Sequence, residues 1–406
     1  MKNIKKSFIG LFATAVMLSF STFTLPAQQI YAKQDTTSKA KMPVFRWPKP
    51  VVSPEIQPDN SVIFRLLAKD AAKVTISGDW MPGFFTQEPM IKGDTGMWTI
   101  KTLPLKPELY SYSFFVDGVK VLDPSNVQVK RDGMNNASML IIPGKESELY
   151  SVNDVPHGTL SKVWYDSPTL NLKRRMYVYT PAGYADSNEK YPVFYLLHGG
   201  GGDEDAWSTL GRACQIMDNL IAQGKAKPMI VVMTNGNPGQ TASPGEGTVA
   251  KIQGTAGDMG KGLFEESLVK DVIPYIENHY RALTGKDNRA VAGLSMGGMQ
   301  TMNLSTRYPE MFSYMGVMSM GIVDATSMGI KPDPDLDAKY DALGKSGYKL
   351  YWVGCGKDDF LYGAAKNLVA MLDKHQLKYT YRESTGGHTW VNWRIYLSEF
   401  TPLLFR

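Results

Sequence analysis

At 406 residues, with 43% hydrophobic and 20% charged content, the chain is long enough to bury a full core and to form two or three domains. A net charge of +5, with Lys and Arg interspersed among Asp and Glu, argues against a dedicated nucleic-acid partner. The two cysteines, Cys214 and Cys355, are too few for a disulfide-scaffolded fold, and no His and carboxylate cluster offers a metal site.

The first 32 residues have the three parts of a secretory signal peptide: Lys2, Lys5 and Lys6, an apolar run from Phe8 to Phe20, and a small-residue cleavage region ending at Ala27 or Ala32. The apolar run is too short to span well, so the expected product is exported, periplasmic or secreted, without a stable membrane span. Residues 33–50 are polar, basic and Pro-bearing, which suits a linker.

From 51 to 145 the hydrophobic period is two. Val62, Phe64 and Leu66 alternate, then Val74 and Ile76, then Trp98 and Ile100. Asp117-Gly118 stands between two alternating runs, as the positive-φ turn of a two-residue hairpin requires. Short strands with turn signals and no helical period predict an all-β sandwich. The stretches "GDWMPG", "GMW", "YSYSFFVDG" and "DPSN" resemble the early-set, immunoglobulin-like carbohydrate-binding modules of glycogen- and starch-active enzymes. Trp80 and Phe84 are candidates to stack on sugar rings or line a cleft, or to cap the sandwich.

From 146 to 406 apolar strands alternate with helical stretches: "YPVFYLLHGGGG", "AKPMIVVMTNGNPG", "FEESLVKDVIPYIENHYRAL", "RAVAGLSMGG", "KLYWVGCGKDD" and "KYTYRESTGGH". This grammar predicts a mostly parallel sheet covered on both faces, with functional residues at the carboxyl ends of its strands. The predicted fold class is therefore multidomain, an N-terminal β-sandwich followed by an α/β-hydrolase fold.

Ser295 lies in "AVAGLSMGG", a G-x-S-x-G between a strand and a helix. A serine hydroxyl needs a histidine base, and the base needs an acid to fix its tautomer. Of five histidines only His375 and His388 follow Ser295. His375 is on a helical stretch, whereas His388 follows a strand in "TGGHTW", where a base can reach a nucleophile. Asp358 and Asp359, just past "YWVGCG", are the candidate acids. Oxyanion donors are expected from the backbone N–H of Met296 and from the glycine loop "HGGGG", at Gly200 or Gly201, with His198 bracing that loop.

Together with "GCGKDDFL" and "GGHTWVNW", these segments resemble the esterase D group of α/β hydrolases. More narrowly they are similar to carbohydrate esterase family 1, with its feruloyl and acetylxylan esterases. The resemblance implies Asp359 as the acid, through a GxxD spacing from Gly356, and a cofactor-free acyl transfer. It also implies a plant cell-wall partner, feruloylated arabinoxylan or its oligosaccharides. Trp393 corresponds to the tryptophan of the family's "GHxxxxW" pattern. Trp393, Trp390 and Asn235 are the expected substrate contacts. The alternatives left open are an acetylxylan esterase, a siderophore esterase, and a glycan-binding protein on an inactive scaffold.

Overall fold

The structure, a computed structural model, describes residues 50–82, 86–247, 262–323 and 333–406. The segments read as signal peptide and linker up to residue 49, and Phe84, lie outside the described residues.

The period-two region forms two sheets. Its strands are β1 (Glu55–Ile56), β2 (Val62–Leu67), β3 (Val74–Gly78), β4 (Glu88–Pro89), β5 (Ile91–Lys92), β6 (Met97–Lys101), β7 (Leu109–Val116), β8 (Val119–Val121), β9 (Val129–Asp132) and β10 (Asn135–Ile141). One sheet has the order β1-β2-β6-β5, the other β4-β3-β7-β10-β9 with β8 added on β7. Val62, Phe64, Leu66 and Trp98 of the first sheet meet Val74, Ile76, Tyr112 and Phe114 of the second in one core. Asp117 and Gly118 both have positive φ and join β7 to β8 with Val116 opposite Val119, as a two-residue hairpin requires. Trp80 caps this core: it stacks on Phe64 with ring centroids 5.3 Å apart and meets Tyr110 edge-on at 6.0 Å.

Eight further strands make one mixed sheet: β11 (Thr159–Ser167), β12 (Leu172–Thr180), β13 (Val193–Leu197), β14 (Ile230–Thr234), β15 (Arg289–Leu294), β16 (Tyr314–Met318), β17 (Leu350–Gly356) and β18 (Thr380–Ser384). Their order is β11-β12-β14-β13-β15-β16-β17-β18. The strands from β13 onward run parallel, and β11 and β12 are antiparallel. Central strands such as "VFYLL" and "IVVMT" are buried along their whole length, because apolar clusters cover both faces.

The two β regions are joined by more than a linker. Leu109 and Met139 of the N-terminal sheets sit in the same apolar cluster as Trp207, Ile216 and Trp393. The buried Arg394 guanidinium bonds Glu108 at 2.7 Å and the Leu210 carbonyl at 2.8 Å. Both cysteines are free, and Cys355 is fully buried. Among the described residues no helix is long and apolar enough to cross a membrane.

Candidate active site

Ser295 follows β15 directly and precedes the helix Met296–Arg307. Its backbone is held at φ 52°, ψ −116°, a strained conformation for a non-glycine residue. The turn closes this sharply because its flanking residues lack side chains. A Cβ on Gly293 would lie 2.5 Å from the Gly297 backbone, and one on Gly297 would lie 2.6 Å from the Leu197 carbonyl. The Ser295 N–H donates to the Met318 carbonyl at 2.9 Å, tying the turn to the end of β16. Ser295 is half-buried while its neighbours from Val291 to Gly298 are buried, so its side chain alone in this stretch reaches the surface.

Asp359 and His388 follow the ends of β17 and β18. His388 Nδ1 meets both Asp359 carboxylate oxygens at 3.0 Å, which places the ring's proton on Nδ1 and leaves Nε2 as the basic nitrogen. Burial opposes the Asp359 charge. Hydrogen bonds from His388, the Leu361 N–H and Ser319 outweigh that burial and hold the carboxyl below its ordinary 3.8. Asp358 shapes the loop that carries His388, since its carboxylate accepts from the Gly386 N–H at 3.1 Å and its own N–H donates to the Gly386 carbonyl. His375 pairs with Asp341 and Asp337 on the surface instead. The Ser295 hydroxyl makes no hydrogen bond among the described residues; its turn is linked to the Asp359–His388 pair through the end of β16, where the Ser295 N–H bonds the Met318 carbonyl and the next residue, Ser319, helps hold the Asp359 carboxylate.

The glycine loop after β13 passes against the same turn. A Cβ on Gly199 would lie 3.4 Å from Ser295 Cβ, while around Gly200 there is open space. The buried His198 donates from Nδ1 to the Gly199 carbonyl at 2.7 Å and accepts at Nε2 from the Gly236 N–H at 2.7 Å. Both ring nitrogens are spent on bracing the loop.

Two expected substrate contacts are buried. Asn235 is fully buried. Its amide donates to Glu204 and Gln240, and its oxygen accepts from Asn237, so it holds loops together beneath the surface. Trp393 is 6% exposed, meets the His388 ring edge-on at 5.0 Å, and donates its indole N–H to Ser319 Oγ at 2.9 Å. Both expected contacts are thus enclosed by protein in this structure, Trp393 against the His388 ring.

The chain matches the profile of the Esterase family ("Putative esterase") over residues 167–404, more than half its length. The chain belongs to the esterase family. A relative, an endo-1,4-beta-xylanase/feruloyl esterase of Xylanibacter ruminicola, is 33% identical over 87% of this chain and 46% of its own. This esterase thus spans about half the length of that curated relative. A CE1 ferulic acid esterase from Anaeromyces mucronatus matches in structure with a TM-score of 0.54 at 25% identity, covering 64% of this chain and 95% of the other. The enterobactin esterase of Shigella flexneri matches with a TM-score of 0.60 at 17% identity, over 84% of this chain and 92% of its own; that likeness concerns the fold alone.

A cavity of about 390 Å³ reaches Thr389, the residue after His388, and is lined by none of Ser295, Asp359 and His388. Tyr110, Met81 and Lys130 from the N-terminal sheets line it together with Thr389, Trp390 and Arg394. Trp390, half-buried, packs edge-on against Trp207 and Trp393 where it lines this cavity. Sequence reasoning missed Phe360, 77% exposed with its ring 4.5 Å from that of His388. Its place directly after Asp359 was the available signal. Ser319 was missed too, because nothing in "MSMG" marks a serine that joins Trp393 to Asp359.

Proposed function

We propose that this protein is a serine esterase that releases ferulate from feruloylated arabinoxylan. The observation that carries the reading is the Asp359–His388 pair, at 3.0 Å, at the same carboxyl edge of the parallel strands as a serine held in a strained strand-to-helix turn. Ser295 Oγ attacks the ester carbonyl while His388 Nε2 takes its proton. Asp359 holds the imidazole in the required tautomer and stabilises its charged form. The tetrahedral oxyanion accepts from the backbone N–H groups of Met296 and Gly200, neither of which donates to another group among the described residues. The sugar hydroxyl leaves with the proton from His388, and water deprotonated by His388 then frees the acid and regenerates Ser295.

The ferulate assignment rests on the likeness to the Xylanibacter ruminicola xylanase/feruloyl esterase and the Anaeromyces mucronatus ferulic acid esterase. The cavity lined by Trp390 and Tyr110 supports it, since a flat aromatic acid or a pyranose packs on such faces. The N-terminal sheets are read as an early-set, carbohydrate-binding-type module. The Lys-rich, apolar N-terminus is read as an export signal, which suits an enzyme acting on plant cell-wall polysaccharide. Hydrolysis of methyl ferulate and feruloylated arabinoxylan oligosaccharides, compared with acetylated xylan and a cyclic catechol triester, tests the assignment. Turnover of acetyl groups alone would make it an acetylxylan esterase, and turnover of the triester alone a siderophore esterase.

A further inference from the structure

The loop that carries the proposed oxyanion donor Gly200 has no side chains of its own between His198 and Asp203, so its position is set by what holds its ends and its carbonyls. Three holds come from the hydrolase sheet region. His198 bonds the Gly199 carbonyl, Asn237 donates to the Gly202 carbonyl at 3.0 Å, and Arg175 and Asn235 bond the buried Glu204 carboxylate. The fourth comes from the N-terminal sheets. Arg131, at the end of β9, forks onto Asp203, with Nη1 to Oδ2 at 2.7 Å and Nη2 to Oδ1 at 3.0 Å, and reaches Asp205 at 3.3 Å. Asp203 is 2% exposed and also accepts from the Asp205 N–H, so its carboxylate is a fixed anchor point. Two residues on, Gly133 in the β9–β10 turn, with φ +57°, lies so close to the loop that a Cβ there would sit 2.1 Å from the Gly201 carbonyl oxygen.

We propose that the β9–β10 hairpin is part of the catalytic apparatus, with Arg131 as a positioning residue that fixes the glycine loop so that the Gly200 N–H meets the oxyanion. The inference rests on the esterase reading above. An N-terminal module tethered only for glycan capture has no need to touch this loop. Here its hairpin tip presses the carbonyl of the residue next to the donor, while its guanidinium pins the loop two residues further on. A bidentate fork fixes direction as well as distance, which a lysine cannot do. A displacement of about 1 Å at such a donor can cost about a hundredfold in rate.

The test is steady-state kinetics of the full chain on p-nitrophenyl acetate, an ester whose small acyl group makes the result independent of the ferulate assignment. Arg131→Met, Arg131→Lys and Gly133→Ala are compared with the parent, each checked for folding by thermal unfolding and for affinity toward phenylboronic acid, which forms a tetrahedral adduct on a serine. The proposal predicts that kcat falls about ten- to a hundredfold in Arg131→Met and Gly133→Ala, with KM within about twofold. Boronate affinity should fall by a similar factor, and Arg131→Lys should recover only part of the loss. If Arg131→Met fails to fold, Arg131→Lys and Gly133→Ala carry the test. Unchanged kcat in folded variants, or a loss confined to KM, would overturn the proposal. Retention of turnover by Ser295→Ala would instead sink the esterase reading beneath it, so the two failures are distinguishable.

Discussion

Trp393 donates its indole N–H to Ser319 Oγ at 2.9 Å, and Ser319 in turn helps hold the Asp359 carboxylate in its charged form. A tryptophan that family resemblance placed against the substrate thus acts on the carboxylate that pairs with His388, through a fully buried serine. Trp393→Phe keeps most of the ring and removes the donor. It is expected to lower kcat about tenfold with little change in KM, and to cost about 1–3 kcal/mol of stability for the hydroxyl left short of a partner. Kinetics with chemical denaturation checks both.

Asp359→Asn should lower kcat by about 10³- to 10⁴-fold, because an amide no longer fixes the Nδ1–H tautomer of His388. The same variant has a signature in stability. The folded carboxyl is held below its ordinary 3.8, so its ionisation contributes stability that is full above 3.8 and lost as pH falls through the lower folded value. Acid unfolding curves of Asp359→Asn should be flatter across that window than those of the parent.

Gly297→Ala probes the turn itself. Its Cβ would lie within 2.8 Å of the Leu197 and His198 carbonyls, backbone atoms that cannot rotate away. Expected are a loss of about 1–3 kcal/mol and a fall in kcat as the turn opens, read by thermal unfolding and kinetics.

Asn235→Ala separates a binding role from a structural one. With its amide committed to Glu204, Gln240 and Asn237, the variant should lose about 1–3 kcal/mol while KM for methyl ferulate stays within about twofold. A large rise in KM at unchanged stability would return Asn235 to the substrate.

Neither cysteine should react with a thiol reagent in the native protein. Burial pushes both thiols up to about 12, with the charges of Asp218 near Cys214 and Asp359 near Cys355 adding to it, so thiolate is scarce at neutral pH. Titration should find no fast-reacting thiol when folded and two in denaturant.

Much of this was legible in the sequence because local rules and tertiary structure agree. The alternation of Val62, Phe64 and Leu66 gave a buried face, Asp117-Gly118 gave a hairpin, and the chain order of Ser295, Asp359 and His388 put all three at strand ends. What was not legible depends on contacts between distant segments. Nothing local to "TNGN" says that Asn235 will be enclosed, because Glu204 and Gln240 reach it only after folding. Nothing in "VKRDG" marks Arg131 as the partner of Asp203, 72 residues later. Trp393 had a pattern and no direction: the motif located it beside His388, but only the fold shows that its N–H turns inward.

The measurement that bears most directly on the account is the turnover of methyl ferulate by Ser295→Ala beside the parent, with acid-quenched peptide masses recorded for both proteins during turnover. The account predicts at least a ~10⁴-fold loss of kcat in the variant, and a feruloyl adduct on the Ser295 peptide of the parent alone. Turnover near the parent's rate in Ser295→Ala would contradict it.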